Sequence, residues 1–174
     1  DINYMDEFRV FTINNRDFPD PKRMNKYLHD NGFHSVYMID PGVKVDDNYF
    51  VYKTGKEQNA FVCDIYRNEF HGKVWPGACA FPDFTRPETR TWWSGLYKDF
   101  MAQGVDGVWN DVNEPQVSNT PTGTMPEDNL HRGGNGIPAG THLQYHNVYG
   151  FLMVKSSREG MLAAQPKKRP FILT

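Results

Sequence analysis

Cysteine is scarce in these 174 residues: only Cys63 and Cys79 occur. Two are too few for a disulfide scaffold, and they lack the CxxC spacing of a redox or metal motif, so both are expected to be free, small buried side chains. No apolar run approaches the ~18 residues of a membrane-spanning helix. The opening DINYMDEFRV lacks the basic-then-apolar pattern of a secretory signal, and no Asn-x-Ser/Thr glycosylation acceptor is present. Those two absences tilt the expected setting towards a bacterial or cytoplasmic one and leave the compartment otherwise open. An excess of charge is missing as well: 19 Lys and Arg face 21 Asp and Glu, for a formal net charge of −2. A phosphate-backbone binder relies on a basic field, so no nucleic-acid partner is expected.

Aromatic residues, by contrast, are plentiful. They make up 14% of the chain, with 12 Phe, 9 Tyr and 4 Trp, and hydrophobic residues make up 39%. That composition excludes disordered and collagen-like classes and supplies a core for one domain over 1–174. The chain opens on Asp1 and stops in the apolar run Phe171-Ile172-Leu173-Thr174, which is expected of a piece of a longer protein.

Strand and helix signals alternate. Asp20 and Pro21 can start a helix with Met24, Tyr27 and Leu28 on one face and Gly32 as its stop. Phe33 to Ile39 then reads as a strand ending at Asp40-Pro41-Gly42. Thr85-Arg86-Pro87-Glu88 reads as a capping box ahead of a helix bearing Trp92, Trp93, Leu96, Tyr97, Phe100 and Met101. A second strand follows over Val105 to Asp111. A third helix from about His142 to Ala164, with Tyr145, Tyr149, Leu152, Met153 and Ser156 inward, leads to a third strand from Arg169. This order predicts an α/β fold with a parallel sheet. Residues 42–84 carry strand-like pieces at Tyr49-Tyr52, Ala60-Cys63 and Lys73-Trp75 and are expected to form a small inserted β-subdomain. Residues 112–141, rich in Gly, Pro, Asn and Thr, are expected to be a long loop. Both follow a strand's C-terminal end, where parallel sheets build sites.

Strand alternation brings Trp109 and Asp111 to one tip together, and Met38 and Asp40 to the previous one. An aromatic ring beside a carboxylate suits sugar chemistry: the ring stacks on the C–H face, while the acid attacks or accepts hydroxyl hydrogen bonds. From spacing alone, a turn cap at Asp111 and Asn113 is the more common reading. His142 and His146 are four apart on a helix, but without an acidic partner in the usual pattern no metal or other cofactor is expected. Helix or loop packing is the expected role of His146.

The order of motifs adds more. Trp109-Asn110-Asp111-Val112-Asn113-Glu114-Pro115 resembles the W-x-D-M-N-E signature of glycoside hydrolase family 31, the α-glucosidase family. Asp1-Ile2-Asn3-Tyr4-Met5-Asp6, Tyr37-Met38-Ile39-Asp40-Pro41-Gly42, Lys73-Val74-Trp75-Pro76-Gly77 with Phe81-Pro82-Asp83-Phe84, His146-Asn147-Val148-Tyr149-Gly150 and the strand from Arg169 are similar to further family segments, in the family's order. The resemblance covers the whole chain. It implies a partial (β/α)8 TIM barrel, entered at the tip of the second strand and left at the fifth, with residues 42–84 inserted after the third. It further implies a retaining enzyme that hydrolyses terminal α-linked glucose from oligosaccharides or α-glucans, with transglucosylation as a close variant. Asp111 would be the nucleophile and Glu114 a supporting residue of the catalytic strand end. Asp1, Trp75, Trp109, Met38 and Asp40 would bind the sugar or back it, and the family's acid/base would lie beyond Thr174. Asn3 and Val112 depart from the family's usual Asp and Met. Asn113-Glu114-Pro115 also resembles the strand end of barrel β-glycosidases, in which the glutamate is the acid/base; a non-catalytic carbohydrate-binding barrel is the third reading.

Overall fold

The computed structural model describes residues 1–174. In chain order, helix α1 (Pro21–Asp30) leads to strand β1 (Val36–Ile39) and the short β2 (Val43–Lys44). Helix α2 (Phe50–Glu57) and the hairpin β3 (His71–Val74) and β4 (Gly77–Ala80) follow. Helix α3 (Pro87–Met101) precedes β5 (Gly107–Asn110). Two short strands, β6 (Leu130–His131) and β7 (Gly140–Thr141), precede helix α4 (His142–Ala164) and β8 (Phe171–Leu173).

The alternation predicted from sequence yields a parallel sheet in the order β1-β5-β8, with Met38 opposite Trp109 and Trp109 opposite Leu173. Gly107 is needed in β5 because a Cβ there would stand 2.9 Å from the Phe171 carbonyl oxygen of β8. The crossover helices α3 and α4 pack on each other, and again a glycine sets the approach: a Cβ on Gly160 would meet the Ser94 carbonyl oxygen at 2.5 Å. Ser94 Oγ donates to the Ser156 carbonyl at 2.7 Å, and Tyr97 OH donates to Ser157 Oγ at 2.8 Å across the same seam. Trp93 is buried there, meeting Phe11 and Phe84 edge-to-face with ring centroids 5.1 and 5.3 Å apart. Such aromatic pairs add about 0.5–1.5 kcal/mol beyond burial.

Several sequence expectations need correction. Tyr49-Phe50-Val51-Tyr52 is not a strand: Phe50 opens α2, whose inward face carries Val51, Tyr52 and Gly55. The β propensity of these residues yields to packing, since Tyr49 OH reaches the Val10 carbonyl and Gly55 lies against Phe61 and Trp92. Residues 42–84 therefore hold a helix as well as the antiparallel sheet β2-β4-β3. The 112–141 stretch is not wholly loop; β6 and β7 pair within it. Residues 2–4 form a 3-10 turn, so the parallel sheet has three strands where parts of four were expected. In α1 the cap is as read, Asp20 accepting from Arg23 N at 2.9 Å, and Met24 packs on the core, but Tyr27 is 69% exposed and Asn25 is the fully buried residue. Its amide donates to the Gln103 carbonyl at 2.8 Å and accepts from Tyr37 OH at 3.1 Å. Thr85 does not cap α3; the N-cap is Arg86, and the Thr85 hydroxyl is turned to Asp83 instead.

Candidate active site at the ends of β1 and β5

The parallel register fixes the site's geometry. Because Met38 lies opposite Trp109, the next residues outward, Asp40 and Asp111, leave the sheet side by side at its C-terminal end. The Asp111 backbone N–H donates to the Ile39 carbonyl at 3.3 Å, and the Asn110 side chain donates to the same carbonyl at 3.3 Å. Asn110 thus ties the two strand ends together, a role the sequence reading missed although the residue sits inside the motif. The Asp111 side chain is half-buried and has no hydrogen-bond partner within the chain, so it is free to meet a ligand.

Asp40 is buried, with Oδ1 accepting from Gly42 N at 2.9 Å and Oδ2 unpartnered. Burial, reinforced by the charge of Asp111, pushes its carboxyl up to about 7. Met38 is buried beneath it, while Trp109 is half-buried against the core. Asp1 is exposed and accepts from its neighbour Ile2 N at 2.6 Å. Its segment is held to the same strand end by Tyr4, whose hydroxyl donates to the Met38 carbonyl at 2.6 Å and whose ring stacks on Tyr37. Trp75 sits at the tip of the β3–β4 hairpin, half exposed. The hairpin abuts the turn after Asp40, since a Cβ on Gly42 would stand 2.6 Å from Val74 Cγ2. The structure therefore groups Met38, Asp40, Trp109 and Asp111 and brings the Asp1 and Trp75 segments to their flanks.

Beyond Asp111 the chain turns sharply. Val112 adopts φ +47°, left-handed for a β-branched residue, and Gln116 N closes the turn on the Val112 carbonyl at 3.0 Å. Glu114 is exposed past that turn, with no hydrogen bond to the grouped residues. Asn113 packs on α4 at Gly150, where a Cβ would lie 2.9 Å from the Asn113 carbonyl oxygen. That close approach explains why the strand-tip motif and the helix motif ending in Gly150 belong together.

Asp83 is not at this site. Buried between β4 and α3, it accepts from the Thr85 hydroxyl, from Arg132 N at 2.8 Å and Arg132 Nε at 3.4 Å, and from His131 Nδ1 at 3.1 Å. His131 continues to His142, and His142 to His146, at 3.1 and 3.2 Å. Asp83 is thus joined to the helical histidines only through His131, a connection between residues far apart in sequence.

The family model for the TIM-barrel domain of glycosyl hydrolases family 31 matches residues 1–174. The chain is 42% identical over 174 residues to alpha-glucosidase 2 of Bacillus thermoamyloliquefaciens and 36% identical over 178 to neutral alpha-glucosidase C of Homo sapiens. Both matches span 100% of this chain, but 22% and 19% of those proteins. The solved family 31 alpha-glucosidase of Bacteroides thetaiotaomicron superposes with a TM-score of 0.82 at 60% identity, over 100% of this chain and 27% of that one. The catalytic subunit of ER glucosidase II, solved as a heterodimer with the binding domain of its regulatory subunit, superposes at 0.89 and 36% identity, over 99% and 19%. The chain thus spans about a fifth to a quarter of the length of these proteins.

Proposed function

Since the chain belongs to the TIM-barrel domain of glycoside hydrolase family 31, we propose that it forms the nucleophile side of a retaining α-glucosidase site. The substrate is the terminal α-linked glucose of an oligosaccharide or α-glucan. The strands β1, β5 and β8 act as the third, fourth and fifth strands of a (β/α)8 barrel, with residues 42–84 inserted after the third. The observation that carries this reading is the register placing Trp109 and Asp111 beside Met38 and Asp40 at one sheet end.

In the proposed reaction an Asp111 carboxylate oxygen bonds to the anomeric carbon as the bond to the leaving oxygen breaks, and a separate acid protonates that oxygen. Water, deprotonated by the same group, then displaces Asp111 and restores the original configuration. Transfer to a second sugar instead of water gives the transglucosylase variant. Trp109 and Trp75 offer ring faces to the sugar, and Asp1 accepts hydrogen bonds from its hydroxyls. Asp40, its carboxyl raised by burial to about 7, backs the pocket. In a retaining site the two carboxyls stand roughly 5–5.5 Å apart across the glycosidic bond. Glu114, exposed beyond the Val112 turn, is assigned a supporting role, and the acid/base is assigned outside residues 1–174.

The test uses the whole enzyme that carries this chain and a fluorinated α-glucosyl fluoride that accumulates the covalent intermediate. Peptide mapping is expected to find the sugar on Asp111. Labelling of Glu114, or labelling only by the β-anomeric reagent, would replace this reading with the β-glycosidase one.

A further inference from the structure

The chain of side chains from Asp83 through His131 and His142 to His146 plays no part in the chemistry above. It links the β4–α3 turn, β6 and the first turns of α4. His131 and His142 are buried, and His146 is half-buried at the open end. The nitrogens pair one after another instead of converging on one point, and no group of three or more His, Cys, Asp or Glu is arranged to hold a metal ion. Their order fixes a direction. A carboxylate only accepts, so Asp83 requires a proton on His131 Nδ1. His131 Nε2 is then a lone pair that receives Nδ1–H of His142, and His142 Nε2 receives Nδ1–H of His146. Nε2 of His146 is left as the free lone pair.

We propose that this chain is a proton-binding relay: one proton enters at His146 Nε2, and its charge comes to rest on His131 beside Asp83. When Nε2 of His146 gains a proton, the Nδ1 proton of His146 passes to His142 Nε2. The Nδ1 proton of His142 then passes to His131 Nε2. One proton has entered, one positive charge has reached the buried carboxylate, and no heavy-atom bond has changed.

The surrounding groups support a single proton. Arg132 is the permanent cation on Asp83, and it opposes a second charge on the histidines. Thr85 adds a neutral donor to Asp83. Tyr145 and Tyr149 present their rings to His131, with centroids 5.5 and 6.2 Å away, and burial raises Tyr149 so that it stays neutral. Cys63, raised by its partial burial, is likewise neutral. Burial, followed by the charges of its two histidine neighbours, lowers His142 to about 3, so it conducts without holding charge. The relay also seats the helix: Gly150, one turn beyond His146, packs on Asn113 behind Asp111.

Histidine C2 hydrogen–deuterium exchange, read by mass spectrometry across pH 5–9 on the whole protein, tests the relay without using its activity. His131 is expected to become the charged histidine as pH falls and His146 to stay neutral, because the charge comes to rest beside Asp83 and His146 only exchanges which nitrogen holds its proton. His142→Gln keeps hydrogen bonding on both sides but cannot pass a proton on, and is expected to leave the charge on His146 instead of His131. A charged His146 in the unsubstituted protein, or a His131 that gains its charge unchanged in His142→Gln, would overturn the relay. Should that variant not fold, the unsubstituted profile decides alone.

Discussion

Asp40 and Asp83 are both buried carboxylates, and Tyr149 feels the charge of each, yet they are held in opposite ways. Both lose hydration on burial, which favours the protonated form. At Asp83 the donors from His131, Arg132 and Thr85 outweigh that loss and bring the carboxyl below its ordinary range. At Asp40 a single backbone donor, Gly42 N, does not, and the neighbouring Asp111 adds repulsion. Burial is common to both, so the donors decide the sign. A carboxylate with its bonds satisfied ties the scaffold together. One with an oxygen left over, at the end of a parallel sheet, belongs to a site.

Loss of the group meant to react is the largest expected break between the two regions. In the whole enzyme, Asp111→Asn is expected to lower kcat/KM by several orders of magnitude, as the loss of a nucleophile does. Hydrogen exchange in α3 and α4 is expected to be unchanged, since the Asp111 side chain has no partner to lose. Retained turnover would remove Asp111 from the nucleophile's role.

Asp83→Asn makes the converse change. Breaking a buried pair on one side costs about 3–5 kcal/mol, because the partner charge is left uncompensated. Arg132 and Gly133 tie the 129–134 segment to Asp83 and Thr85. Amide exchange there is expected to accelerate by roughly a hundredfold or more, at about 1.4 kcal/mol per factor of ten. An unchanged rate would show that Asp83 is not the clamp.

A smaller effect separates the two carboxylates by pH. The folded value for Asp40 is raised to about 7 from the ordinary 3.8. Between those values the native state holds a proton that the unfolded chain has released. Its contribution to stability is therefore intact below pH ~4 and is lost as pH rises towards 7. Unfolding in urea across pH 4–8 is expected to show this decline, and Asp40→Asn is expected to flatten it. Equal slopes would mean that Asp40 is ionised despite burial.

Much of this contrast was legible in the sequence only on one side. The parallel alternation, the Asp20-Pro21 helix start and helix α4 followed from local pattern, and so did the pairing of Trp109 with Asp111 at one tip. These are properties of neighbours in the chain. The Asp83 clamp joins residues 48 and 49 positions apart, and its extension to His142 depends on β6 folding beside α4, so no periodicity announces it. The failure at Tyr49-Tyr52 has the same origin. Four residues of strong β propensity became the cap and first turn of a helix because Val10, Phe61 and Trp92 wait on one side of them. Asn25 was passed over as a polar residue, though two distant partners bury it.

The smallest expected effect concerns the strain on the site side. Val112, directly after Asp111, has φ +47°, where its Cβ crowds the backbone. For an L-residue this conformation is disfavoured by about 1–2 kcal/mol, and a β-branched side chain sits there worst. The turn persists because its surroundings over-determine it: Asn110 clamps the strand before it, Asn113 is wedged on Gly150 after it, and Gln116 closes it. Glycine removes the crowding but adds about 0.5–1 kcal/mol of chain entropy to be lost on folding, so the net relief is on the order of 1 kcal/mol or less. Val112→Gly is therefore expected to slow amide exchange over residues 111–116 by only a few-fold. Faster exchange would show that Val112 is unstrained in this turn and that its side chain, not its backbone, holds the strand end.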